Sequence, residues 1–575
     1  MTLFRRPLYY LLKRRYYFAA GIISLLLVDI FQLFIPRAVK KMIDDLFALD
    51  TSRIHIWFSH ILLLALGMAI FRFFWRMLLV RTSFYIEEQL RNDLYKKYLY
   101  MDQPFFDRRS TGSLIALATN DLQAIRMMFS MGVVSACDGI FLTILSVVFM
   151  FSMNSRLTMY VLIPLPVITF FLIIAGKKIF GGFTRVQEYF SDLTGRLQEY
   201  VSSIVLIKNF TLENESIRSV EKSSVKICDQ NFSLMRVWGA LFPLMALVTG
   251  IAAAFAGIRG GTMTIMGELS LGEFTAFFSY ISILAWPMMA IGWVMNLFQR
   301  GRASMKRIND ALDANAVVRD KPLIAEPQYL PKPTFELKDV SFTYPEALHP
   351  ALKNISMIIP YGCRIGITGK TGSGKSTLAD LLLRRYDPST GSVLLNGQNY
   401  RDLPVKYILS HIKSSPQQNT LFADTLRQNI VFGSSNDKEE QLRIACSDAK
   451  LSDTVNDLPK KLDTMLGEKG VNLSGGQKQR VALARLLLSP APLCLIDDSL
   501  SALDSETEKS VYNSLLKIPG SMVIISHRVS AISNCDIIYV LDEGTIAEKG
   551  THEELVKQKG LYSDIYTRQL VQNRL

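Results

Sequence analysis

Over the first 300 positions long apolar stretches alternate with polar ones, and beyond them the pattern changes. Six runs, at roughly 17–38, 55–79, 129–152, 157–176, 239–259 and 273–297, are dominated by Leu, Ile, Phe, Val and Met. About 20 such residues cross a bilayer as a helix, so most of the runs predict membrane-spanning helices. Six apolar runs with charged links between them fit poorly as the core of one soluble domain. The stretch Tyr85 to Leu99 repeats apolar residues at spacings of three and four, so helix continues past the bilayer. At about 1.5 Å per residue, the long links 80–128 and 177–236 would project tens of ångströms.

Charge orients these spans. The chain begins with Arg5, Arg6, Lys13, Arg14 and Arg15, and both long links are basic. Lys and Arg accumulate on the cytoplasmic side, which places the start, both long links and the remainder of the chain inside. The link 39–54, which mixes Lys40 and Lys41 with Asp44, Asp45 and Asp50, lies outside. A plasma membrane protein, in bacteria the inner membrane, is expected. Inside the runs stand Asp29, Gln32, Arg72, Arg76 and Asp138. Polar groups at membrane depth face a bundle interior or a wet cavity, although the two arginines could also extend toward the membrane edge.

After about residue 310 the chain turns polar, and 311–334 contains four prolines, which reads as a linker. From 335 to 575 short apolar strands alternate with helical stretches and glycine turns, the pattern of an α/β domain. Of 575 residues 49% are apolar and 20% charged, which excludes a disordered chain. The net charge of +13 follows from the cytoplasmic flanks and calls for no nucleic acid. The six cysteines form no CxxC pair or His/Cys cluster, so neither zinc nor redox chemistry is indicated.

The chemistry is concentrated in three segments. Gly369-Lys370-Thr371-Gly372-Ser373-Gly374-Lys375-Ser376-Thr377 fits GxxxxGK[ST], with an apolar strand before it and a helical stretch after it. That is the context in which a glycine loop holds phosphates, Lys375 pairs with the β and γ phosphates, and Ser376 reaches Mg²⁺. The apolar strand Leu493–Asp497 delivers Asp497 to the same metal. Between them lies Leu473-Ser474-Gly475-Gly476-Gln477.

These three segments together resemble an ATP-binding-cassette (ABC) ATPase, and six spans followed by one cassette resemble a multidrug-type ABC exporter half-transporter over essentially the whole chain. The resemblance implies a multidomain fold: an all-α six-helix transmembrane domain of exporter type 1 (1–310), the linker, and an α/β P-loop cassette (335–575). It implies ATP and Mg²⁺. It assigns Tyr344 to adenine stacking, Gln417 to the metal and to sensing of the membrane domain, and His527 to the switch histidine. Leu473 to Gln477 become the signature that closes a partner's ATP site, and Asp504 belongs to the D-loop. Arg109 and Gly112, Phe210, and Glu468 fall in segments that resemble the two coupling regions and the exporter element before the signature.

One departure stands out. The family's base is a glutamate directly after the aspartate that Asp497 matches, and here that position is Asp498. Such a change resembles the less active site of MdlA-like subunits in heterodimeric bacterial exporters, although His527 is retained. The resemblance therefore implies a second half-transporter as partner, a bilayer, and a hydrophobic or amphipathic substrate, drug-like or lipid-like. A homodimeric exporter or lipid flippase is the alternative, and an ATP-gated channel or regulator a more distant one. Phe277, Phe278, Trp286, Met288, Met289 and Trp293 suit adaptable substrate contacts, and equally suit packing against lipid. No Cys/His protease domain precedes the first run, which argues against a peptide-processing exporter.

Overall fold

The computed structural model describes residues 3–320, 328–417, 419–434, 438–501 and 503–572. The chain divides into two compact units. The first holds Met1–Tyr100 and Thr111–Ala314, the second Met101–Ser110 and Asn315–Leu575. The short segment 101–110, expected to belong with the membrane helices, belongs to the second unit.

The first unit is helical. Its long helices are Arg15–Phe47, Ile54–Leu99, Thr111–Met153, Leu165–Ser202, Glu213–Phe255 and Leu271–Leu312. Among the described residues three of them, Arg15–Phe47, Ile54–Leu99 and Thr111–Met153, are long and apolar enough to cross a membrane, and Leu271–Leu284 is a shorter apolar stretch. The helices outrun the apolar runs, as the periodicity of Tyr85 to Leu99 predicts. Their ends follow from capping chemistry. Asn154, extended at φ −154°, stops one helix and accepts the amide of Leu157 at 3.0 Å to start the next. Ser270 and Glu273 form a reciprocal capping box on Leu271–Leu312. Asp44 reinforces that start by accepting Gly272 N at 2.9 Å and the Ser270 hydroxyl at 3.0 Å.

Leu33, Leu142, Met150, Leu157, Ala276 and Phe277 form the main apolar cluster, in which Tyr280 is fully buried and donates its hydroxyl to the Leu33 carbonyl at 2.8 Å. Phe277 therefore belongs to the interior packing, whereas Trp286 and Trp293 are exposed. The side chains of Met288 and Met289 lie outside the described residues. Ion pairs tie neighbouring helices, Lys40 with Glu273 at 2.7 Å among them. Asp121 accepts from Ser304 and Arg307, and Glu87 meets Arg126 at 3.0 Å.

The second unit contains two sheets. β1 (Phe335–Phe342), β2 (Leu352–Ile359), β4 (Thr390–Leu395) and β5 (Gln398–Asn399) make an antiparallel sheet in the order β2-β1-β4-β5. The other runs β10-β9-β3-β8-β7-β6, with β3 at Arg364–Gly369, β6 at Ile412–Ser415, β7 at Leu493–Asp497, β8 at Ser521–Ile525, β9 at Ile537–Asp542 and β10 at Thr545–Gly550. Five of its strands are parallel, and β10 is the antiparallel edge. The central strands β3, β7 and β8 are buried almost end to end, as a parallel sheet covered on both faces requires. β2 instead alternates buried and exposed positions.

Candidate functional site

In a doubly covered parallel sheet, ligands bind beyond the carboxyl ends of the strands. Here four adjacent strands bring the sequence-predicted residues to that edge. β3 runs into the glycine loop, β8 ends before Ser526 and His527, β7 delivers Asp497 and Asp498, and β6 leads into Gln417. Backbone bonds lock the strand ends together. Ser526 N reaches Ile367 O at 3.0 Å, and Asp498 N reaches Ile525 O at 2.8 Å. The buried Ser499 hydroxyl donates to Ser415 O at 2.9 Å, fixing the exit of β6 just before Gln417, which is itself exposed.

The loop itself needs its glycines. Gly369 sits at φ +147°, where a Cβ would lie 2.1 Å from the Leu541 carbonyl oxygen. Gly374 sits at φ +100° and leads directly into the helix Lys375–Leu382. Lys370, Thr371, Gly372 and Ser376 form the exposed rim, and Ser373 and Thr377 are buried. Lys375 is buried, and its ammonium donates to the carbonyls of Gly369 at 2.9 Å and Lys370 at 2.7 Å. Burial lowers its pKa, and the nearby Asp497 and Asp498 oppose that fall.

Two carboxylates face this lysine. Burial first, then Asp498 and Asp380, push the Asp497 carboxyl up to about 6, while Lys375 pulls the other way. Asp498 has a buried carboxylate oxygen with no hydrogen-bond partner. Its backbone is left-handed at φ +49°, which aspartate tolerates better than most residues. Excess negative charge, an orphaned acceptor and the open hydroxyl of Ser376 fit a divalent cation, and the glycine loop at a helix start fits phosphates. Partial burial, then Lys375, holds the His527 imidazole below its usual pKa, with Asp498 opposing.

Tyr344 lies beside the same helix. It is half-buried, meets Phe342 and Tyr386 edge-on at 4.9 and 5.3 Å, and donates to the Thr377 hydroxyl at 3.1 Å. The segment Leu473 to Gln477 is not brought to the glycine loop. Among the described residues no hydrogen bond or ion pair joins the two. Leu473 is buried, while Ser474 and Gly475 are exposed at the start of Gly475–Leu488. Ser474 accepts Gln477 N at 3.3 Å and donates its own amide to the Gln477 side chain at 2.8 Å, a capping box that presents the helix end outward. Gly476 continues that first turn. Asp504 caps Ser505–Leu515 by accepting Thr507 N at 3.0 Å, which lowers its pKa. Ala502, beside it in the D-loop, lies outside the described residues.

Arg109 lays its guanidinium over Phe105 at 4.3 Å, Gly112 has open space around it, and Phe210 and Glu468 are exposed. Sequence reading placed Asp107 in the first coupling segment without giving it a partner, and passed over Asp102. Asp107 accepts the hydroxyl of Tyr386, and Asp102 accepts the amides of Val317 at 2.6 Å and Val318 at 2.8 Å. It also passed over Gln569, which donates to His527 O at 2.6 Å and accepts from Val529 N at 2.8 Å. No local pattern in the sequence signals such long-range pairs.

Comparison with known proteins agrees with this geometry. Residues 18–288 match the family described as the ABC transporter transmembrane region, and residues 352–501 match the family described as ABC transporter. A probable multidrug resistance ABC transporter ATP-binding/permease protein, YheI of Bacillus subtilis (strain 168), is 33% identical over 96% of this chain and 95% of its own length. The multidrug resistance-like ATP-binding protein MdlA of Escherichia coli (strain K12) is 32% identical over 100% of this chain and 98% of its own. A solved bacterial Atm1-family ABC exporter with ATP bound superposes with a TM-score of 0.82 at 25% identity, covering 97% of this chain and 99% of that one. The chain belongs to the ABC transporter family, as a multi-pass exporter-type membrane protein whose cytoplasmic cassette couples ATP hydrolysis to transport.

Proposed function

We propose that this chain is one half of a heterodimeric exporter of amphipathic compounds, in which it contributes the less active ATP site and the signature that completes its partner's site. The observation that carries this reading is Asp498. It stands where the family's base is a glutamate, one methylene short, at the tip of β7. A displacement of about 1 Å in a positioned group can lower a rate roughly a hundredfold. The names of the multidrug relatives support the substrate class.

In this reading residues 1–310 supply six spans, 311–334 the linker and 335–575 the cassette. The loop Gly369 to Thr377 cradles the phosphates, Lys375 turns from its carbonyl partners to the β and γ phosphates, and Tyr344 meets the adenine. Ser376, Gln417 and Asp497 would hold Mg²⁺, which when bound neutralises charge on the transferred phosphoryl group. Asp498 orients the attacking water and His527 donates toward the γ-phosphate. Ser474 and the amides of Gly475 and Gly476 lie at an outward-facing helix start, ready to cap a nucleotide held by a partner. Closure of two cassettes, passed on through Arg109, Gly112, Phe210 and Glu468, would drive alternating access.

The test is ATP turnover by this chain purified alone in lipid, with its mass measured in the same sample. Nucleotide binding without turnover, or the absence of a stable dimer, is expected. Brisk turnover by a homodimer overturns the heterodimer reading.

A further inference from the structure

Lys and Arg accumulate on the cytoplasmic side of a membrane protein, so an arginine on the outer side calls for a reason. Two outer helix ends carry one. Thr111–Met153 starts beside the segment that belongs with the cytoplasmic cassette, which puts Met153 and the following Ser155–Leu162 at the outer side. Leu271–Leu312 ends just before the cassette unit begins, so the stretch 256–270 ahead of it is outer as well. Arg156 stands on the first of these ends and Arg259 on the second.

Other outer cations are engaged. Lys40 pairs with Glu273 at 2.7 Å and Arg53 with Asp50 at 3.5 Å, while the half-buried Arg37 lies over Phe149 and donates to Ser152. Arg156 and Arg259 are exposed and, among the described residues, meet no carboxylate. Tyr160 links the two. It lies one turn after Arg156 on the same face of Ser155–Leu162, and the Arg259 guanidinium lies over its ring at 5.4 Å. Gly260 permits that close approach, since a Cβ there would come within 3.2 Å of Leu157. Among the described residues neither guanidinium nor the Tyr160 hydroxyl has a hydrogen-bond partner. Two planar forks and a hydroxyl, all donors, therefore surround one ring, and phosphate is the anion that such forks match.

The surface below is apolar on both sides. Met159 and Ile163 share the exposed face of Arg156, and the opposite face, with Leu157 and Val161, is buried. Inward from Arg259, Ile258, Phe255 and Ile251 are exposed in turn. Each side places charge at the outer end and apolar side chains beneath it, the order of head and tail in a phospholipid. A soluble anion would use only the upper half.

We infer that Arg156, Tyr160 and Arg259 form a binding site for the headgroup of an anionic phospholipid of the outer leaflet, whose acyl chains lie along the exposed apolar side chains below.

The experiment uses the full chain, with any half-transporter that co-purifies, in nanodiscs of phosphatidylglycerol and phosphatidylcholine in equal amounts. The lipids that stay bound on release are counted by native mass spectrometry. The unaltered protein should retain phosphatidylglycerol in preference. Arg156→Gln together with Arg259→Gln should lower that preference by about tenfold or more. Arg53→Gln, which removes an outer arginine that already has an acid partner, should leave it unchanged. No preference in the unaltered protein, or an unchanged preference in the double variant, overturns the proposal. An equal fall in Arg53→Gln also overturns it, by showing a general effect of charge. So does displacement of the lipid by millimolar glycerol 3-phosphate, which would show an anion site that needs no acyl chain. Nucleotide binding and the mass of the assembly, read on the same samples, show that the variants fold and assemble. Should the double variant fail to do so, Arg156→Gln alone carries the same decision, because that side chain is exposed and holds no partner in the fold.

Discussion

Tyr386 donates its hydroxyl to the carboxylate of Asp107, 279 residues earlier in the chain. Tyr386 is buried, and burial together with Asp107 raises its pKa, so the hydroxyl remains a donor at any physiological pH. Its ring meets Tyr344, and Tyr344 in turn donates to Thr377 of the phosphate loop. An acid of the segment 101–110 is thereby in continuous contact with the residues placed around the nucleotide. Tyr386→Phe removes one hydrogen bond to a charged group, worth about 1 kcal/mol once the partial exposure of Asp107 is allowed for. Nucleotide affinity should hold, while stimulation of ATP turnover by a transported compound should fall. A double-mutant cycle with Asp107→Asn measures the coupling, and additive effects would show that the contact transmits nothing.

The residues that could be read from sequence are those whose chemistry is local. The glycines at 369 and 374 and the lysine at 375 act within one turn of chain, and Asp497 ends an apolar strand whose burial its composition announces. The pairs that hold the site together are long-range. Ser499 with Ser415, Gln569 with His527, and Tyr386 with Asp107 join segments that share no periodicity. Asp504 shows a further limit, because its side chain works as a helix cap whatever its motif suggests. In the membrane part hydrophobicity marks the apolar cores of the helices. It does not mark their ends, which Asn154, Ser270 and Asp44 set through hydrogen bonds.

Asp498→Glu restores the family's base and should raise ATP hydrolysis by this site, by up to roughly a hundredfold if reach is what limits it. The gain has a structural cost. The backbone there is left-handed, a conformation glutamate adopts less readily than aspartate, so the variant should melt slightly below the parent. Steady-state turnover and a melting curve on one preparation check both parts. An unchanged or lower rate would mean that the shorter side chain is not the limiting feature.

Gln569 should act as a positioning residue for His527. Its side-chain amide grips the backbone on both sides of Arg528, from the helix Leu561–Gln572. Gln569→Ala frees that segment, and hydrolysis at this chain's own site, read in the Asp498→Glu background, should fall by on the order of tenfold at unchanged nucleotide KM. In a His527→Ala background the same change should have little further effect. A full additional loss in that background would point to general destabilisation rather than to placement of the imidazole.

Asp497 makes cation binding depend on pH in a defined window. Its carboxyl titrates at about 6 in the folded, nucleotide-free chain, chiefly because burial disfavours the charged form, against about 3.9 in an unfolded one. Between these values the folded state holds a proton that the unfolded state has released. Stability should therefore decline as pH rises from about 4 to 6 and level off above it. A divalent cation competes with that proton, so Mg²⁺-dependent nucleotide affinity should rise over the same interval and then flatten. Asp497→Asn should abolish the rise and flatten the stability profile. Melting temperatures and nucleotide titrations across pH 4.5–8, with and without Mg²⁺, read both quantities. The two should move in opposite directions, because the same desolvated charge that opposes folding in the free site is what the metal neutralises when it binds.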